Sequence, residues 1–105
     1  MSRQFFARRL AELREQRGVS ARELSLLLGL NESYINRIEN QNNYPTMENF
    51  LYICEYFHIT PEEFFSTTNP YPSELNLLIQ DLKKLNYKQL KNVQAIVKDL
   101  IERKH

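Results

Sequence analysis

Only two glycines occur in the 105 residues, Gly18 and Gly29, and each closes a run with helical periodicity. Glycine enters the left-handed backbone region without steric penalty, so a glycine just past a periodic run reads as a helix stop. Before Gly18, Phe6, Leu10 and Leu13 fall at i, i+4 and i+7, one apolar stripe of a helix over about Arg3 to Arg17. Between the glycines, Ser20 and Glu23 spell a capping box. Leu24, Leu27 and Leu28 then supply the buried face of a second helix over about Ala21 to Leu28. Past Gly29 and Leu30, Asn31 reads as the N-cap of a third helix, Glu32 to Glu39, with Ile35 and Ile38 inward. Glu32, Ser33, Asn36 and Arg37, with Tyr34 among them, are expected to face out. So short a helix is not stable alone, and it must lie across a scaffold with its other face free for a partner.

The rest of the chain is also helical in pattern. Asn40 to Pro45 is a polar turn. Thr46 caps a fourth helix, about Met47 to Phe57, with Phe50, Leu51, Ile53, Cys54 and Phe57 as apolar positions and His58 as its stop. Thr60-Pro61-Glu62-Glu63 opens a short fifth helix ending near Phe65. Two prolines then punctuate a polar stretch. Beyond it lie two amphipathic runs, Ser73 to Leu85 and Tyr87 to Arg103, with Asn86 and Gln89 as a capping box between them. The expected organisation is all-α: a five-helix domain over residues 1–66, a linker over 67–72, and a helical hairpin over 73–105.

Charge is unevenly distributed, though the formal total is only +1. Residues 1–22 carry six arginines against Glu12 and Glu15, a net +4. Residues 23–69 carry Arg37 against seven glutamates, a net −6, and residues 70–105 carry a net +3. Any nucleic-acid role therefore needs its positive charge gathered on one face. The single cysteine, Cys54, allows no internal disulfide and reads as core packing. No metal-ligand spacing or phosphate loop appears, and Ser20, Ser25, Ser33 and Cys54 have no histidine to activate them, since His58 sits in a cap and His105 at the end. No enzymatic step, cofactor or metal is expected. The first residues hold no long apolar run, so neither a signal peptide nor a membrane span is read there, and a cytoplasmic protein is expected.

Several motifs fall into one continuous register. These are Leu10-x-x-Leu13-Arg14-x-x-Arg17-Gly18, Ser20-x-x-Glu23-Leu24-x-x-x-Leu28-Gly29-Leu30, and Tyr34-Ile35-Asn36-Arg37-Ile38-Glu39-Asn40. Pro45-Thr46 and Ile59-Thr60-Pro61-Glu62-Glu63-Phe64 complete the set. Phe6 to Phe65 thereby resembles the Cro/repressor-type (Xre-family) helix-turn-helix, a lambda-repressor-like DNA-binding domain. The resemblance implies a transcriptional regulator whose partner is double-stranded DNA. It implies that Glu32, Ser33, Asn36 and Arg37 face bases in the major groove. It also implies that Ser20, Ala21, Arg22, Tyr34, Asn40, Asn42, Asn43 and Tyr44 follow phosphates, and that Arg14 and Glu39 form an ion pair between the first and third helices. This chain departs from the family at Ala21 and Gln41, where Gln and Gly are common, and at Glu32, where Gln, Arg or Ser is usual. Its first lysine is Lys83. Phosphate affinity of the lone domain is expected to be weak.

Two readings stay open at several positions. Glu32 is a favourable charge at a helix start or a cytosine reader. The Asn40 to Tyr44 run is a phosphate contact or simply a turn. Arg3, Arg8 and Arg9 read as solvent-facing, and Tyr52, Tyr56 and Phe57 as core or interface. The hairpin's stripes cannot be buried by two helices alone. Leu78, Leu82, Leu85, Val93, Ile96, Val97, Leu100 and Ile101 are the expected dimer interface, which would set two recognition helices on a palindromic operator. The competing reading uses the same fold as a protein-interaction module or antitoxin-like partner.

Overall fold

A computed structural model describes residues 2–104, so His105 lies outside the described residues. Among them are seven helices and no strand: α1 Arg3–Arg17, α2 Ala21–Leu27, α3 Tyr34–Glu39, α4 Met47–Tyr56, α5 Pro61–Phe64, α6 Pro72–Leu82 and α7 Tyr87–Lys104. The chain forms two compact units that divide between Glu74 and Leu75. No helix of the described residues is long and apolar enough to cross a membrane.

One stop signal, used four times, shapes the first unit. Gly18, Gly29, Gln41 and His58 all have positive φ, at 70°, 74°, 66° and 57°. The next residue in each case sends its N–H back five residues: Val19 to the Arg14 carbonyl, Leu30 to Ser25, Asn42 to Arg37 and Ile59 to Cys54, at 2.9–3.2 Å. This is the Schellman arrangement, which satisfies carbonyls that the helix end leaves open. Starts are equally local. The hydroxyls of Ser2, Ser20, Thr46 and Thr60 accept the N–H three residues on, and Glu23 and Glu63 complete capping boxes.

The helices close over one core. Phe6, Leu10 and Leu13 of α1 meet Leu24 of α2, Ile35 and Ile38 of α3, Phe50 and Ile53 of α4, and Phe64 of α5. Phe6 and Phe64 stack at 4.8 Å, and Phe50 meets Phe64 edge-on at 5.1 Å.

Four expectations need correction. Leu27 is 64% exposed, so the inward face of α2 is Leu24, Ser25 and Leu28. Leu51 likewise points outward from α4. α3 begins at Tyr34, not Glu32, and Ser33 rather than Asn31 occupies its cap position. The Asn31 side-chain oxygen instead accepts from the Ser33 N–H at 3.0 Å and hydroxyl at 2.7 Å, which winds residues 31–33 into a turn.

The fourth correction is Arg9, which is 6% exposed. Its Nε donates to the Phe64 carbonyl at 2.7 Å, and its Nη2 to the carbonyls of Glu63 at 2.8 Å and Asn69 at 3.0 Å. A cation thus closes the carbonyl end of α5 and ties down the segment after it. Gln16 holds the same segment through the Pro70 carbonyl at 2.8 Å. Burial lowers the Arg9 pKa from the ordinary guanidinium value, and Glu12 acts in the opposite sense.

In the second unit the expected Asn86–Gln89 box is present, with both reciprocal bonds at 2.9 and 3.1 Å. The first run ends as a helix at Leu82, and a turn carries the chain through Leu85. Its apolar side chains stay open to solvent in the single chain: Leu78, Ile96, Leu100 and Ile101 are each more than half exposed. Leu82, Leu90, Val93 and Val97, with Lys91 and Gln94, line a groove of about 330 Å³.

Candidate nucleic-acid interface

α2, the turn after it and α3 form a bracket with a buried and an exposed side. The buried side is pinned by Ser25, which has no exposed surface. Its hydroxyl donates to the Ala21 carbonyl at 2.8 Å and accepts the Ile35 N–H at 3.0 Å. Ile35 is in the first turn of α3, where backbone donors have no partner inside the helix, and Ser33 makes no side-chain cap bond. The missing cap is therefore supplied from α2. Ile35 and Ile38, at 0% and 1% exposure, seat α3 on the core.

A second brace holds α3 from the other end. Arg14 and Glu39 are brought together in a two-pronged pair, Nε to Oε2 at 2.8 Å and Nη2 to Oε1 at 2.9 Å. Arg14 Nη1 also donates to the Val19 carbonyl at 3.1 Å. The Glu39 hydrogen bond is the first cause of a raised Arg14 pKa. Engaged three ways, this guanidinium is a brace between α1 and α3.

The exposed side carries Glu32, Asn36 and Arg37, with Ser33 half-buried at its edge. Ser20 and Arg22 lie exposed at the start of α2, while Ala21 turns its methyl toward the core. Asn40 and Asn42 are exposed in the turn after α3, and Asn43 is half-buried. Tyr44 stands edge-on to Phe6, with the Arg3 guanidinium 5.6 Å from its ring centre. Arg8 of α1 borders a polar groove with Asn36, Asn40 and Gln41. Tyr34 departs from the outward-facing reading: it packs against the core, and its hydroxyl accepts from the Asn49 amide at 3.0 Å. Among the described residues, neither Asn36 nor Arg37 has a side-chain partner.

The bracket has the geometry of a helix held across a scaffold by two inward residues with its polar face free. A family described as a helix-turn-helix domain matches residues 7–70. The chain belongs to that family. The helix-turn-helix domain thus covers the first unit up to the segment that Arg9 and Gln16 tie down, and it is a DNA-binding architecture. No curated protein and no solved structure matches the chain.

Sequence reasoning missed two residues that hold this helix-turn-helix domain together. Arg9 lies on the Phe6, Leu10, Leu13 stripe, and Ser25 lies on the Leu24, Leu28 face. In both, a polar residue at an apolar register position was the available signal.

Proposed function

We propose that the chain is a sequence-specific transcriptional regulator of the Cro/repressor (Xre) type, acting in the cytoplasm as a homodimer on a palindromic DNA operator. One observation carries this reading: α3 is fastened by Ile35, Ile38, Ser25 and Glu39, while Asn36 and Arg37 on its outer face have no side-chain partner among the described residues. Arg37 is suited to the paired acceptors of guanine and Asn36 to adenine. Ser33 adds a hydroxyl at the edge of that face. Ser20, Arg22, Asn40, Asn42, Asn43 and Tyr44 flank it as phosphate contacts, Ala21 takes part only through its backbone, and Tyr34 supports the surface from behind. Dimerisation rests on the apolar stripe of the second unit, exposed at Leu78, Ile96, Val97, Leu100 and Ile101 and half-buried at Leu82, Leu85 and Val93. A surface of that kind is ordinarily covered by a partner.

Selection of duplexes from a random pool, at two salt concentrations, tests the proposal. A palindromic motif with half-site centres about one helical turn, roughly 34–36 Å, or a multiple apart is expected. Arg37→Ala should weaken the selected site by about 1–3 kcal/mol and relax one base position. Recovery of no motif, or unchanged binding by Arg37→Ala, overturns it. Sedimentation over a range of concentrations tests the dimer.

A second reading, a protein-interaction module or antitoxin-like partner, is favoured by the net −6 over residues 23–69 and by Glu32 drawing Arg22 into an ion pair. A protein partner retained in the absence of any DNA motif would select it.

A further inference from the structure

The solvent side of the bracket is joined by one ion pair. Arg22, in the first turn of α2, donates from Nε to Glu32 Oε2 at 3.1 Å, with the two side chains 69% and 60% exposed. An ion pair so open to water contributes little to folding. The domain has firmer ties between α2 and α3 in the Ser25 hydroxyl and the shared core. The pair's position is the informative point, because Glu32 lies exposed two residues before α3, whose Asn36 and Arg37 are exposed as well.

A lone carboxylate there would be repelled by the phosphates of a duplex. Arg22 supplies the opposite charge at contact distance, and its grip on Oε2 leaves Oε1 without a hydrogen bond among the described residues. A carboxylate only accepts hydrogen bonds. In the major groove the donors are the exocyclic amines of cytosine and adenine, and adenine places the N7 acceptor beside its amine, where a carboxylate is repelled. Cytosine remains.

We propose that Glu32, oriented and neutralised by Arg22, reads the amine of a cytosine, so that each half-site carries cytosine at one fixed position. This rests on the DNA-binding reading above and adds a specificity determinant to it. Arg22 is the positioning residue and Glu32 the one that touches the base.

The test compares the full chain with Glu32→Gln and Arg22→Gln. Random-pool selection should return one invariant cytosine for the parent. Glu32→Gln should replace it with adenine, which suits the glutamine amide, and leave the rest of the motif unchanged. On a fixed duplex, changing that cytosine should weaken the parent at least about five-fold, the lower end of what a good base contact supplies. The penalty should vanish in both variants. Thermal melts within a few degrees of the parent would show that both variants fold. A Glu32→Gln motif identical to the parent's, with tighter binding to all sequences alike, makes Glu32 merely repulsive and overturns the proposal while leaving DNA binding intact. Arg22→Gln with full cytosine discrimination removes the positioning role. A parent that enriches no motif overturns both the proposal and the reading beneath it.

Discussion

The Ser25 hydroxyl accepts the Ile35 N–H at 3.0 Å, so the first turn of α3 is capped by a side chain from α2. Removing that acceptor leaves a buried donor without a partner, which costs about 1–3 kcal/mol. Ser25→Ala is expected to lower the melting temperature by roughly 4–8 °C for each kcal/mol lost. Hydrogen exchange at the Ile35 amide should accelerate more than at the Leu24 amide. Equal exchange at both sites in the variant would refute the capping role.

Arg9 serves three carbonyls, those of Phe64, Glu63 and Asn69. Arg9→Met should destabilise the first unit by about 3 kcal/mol, because each carbonyl loses a charge-assisted bond in a poorly hydrated place. Arg9→Lys should recover only part of the loss, since one ammonium cannot copy the guanidinium fork. Urea titration of the three proteins measures the order.

The four left-handed stops predict substitutions of opposite sign. Gln41 holds φ 66° with a β-carbon, a conformation that costs an ordinary residue about 1–2 kcal/mol. Gln41→Gly is expected to stabilise by about 0.5–1 kcal/mol after the added freedom of the unfolded chain is counted. Gly18→Ala should destabilise by about 1 kcal/mol although nothing lies within 4 Å of the added carbon, because the strain is in the backbone. Denaturant midpoints decide both.

Burial raises the Cys54 pKa from an ordinary 9.0 to about 11. The native thiol should therefore resist alkylation at pH 8 and react only as the protein unfolds. The folded state favours the protonated thiol, so its contribution is fully present below pH 9. It is lost as pH rises from about 9 through about 11. Cys54→Ala should melt with less dependence on pH across that window.

What the sequence alone determined is most of the helix ends, though neither the start of α3 nor the end of α6. A capping box at Ser20, a proline after Thr60 or a glycine at position 29 acts on the next few backbone groups, so its effect is complete within one turn of chain. Tertiary structure decided which side of each helix is covered. Leu27 has the register of a core residue, yet Ser25 holds the buried place beside Leu24 because its hydroxyl meets an unpaired Ile35 amide from another helix. Arg9 reads as a surface charge until the carbonyl end of α5, more than fifty residues on, is packed against it. The pairing of Arg22 with Glu32 likewise exists only once the turn between them has closed. A partner supplied from a distant segment leaves no local mark, because the energy of such a contact depends on where the backbone has already been placed.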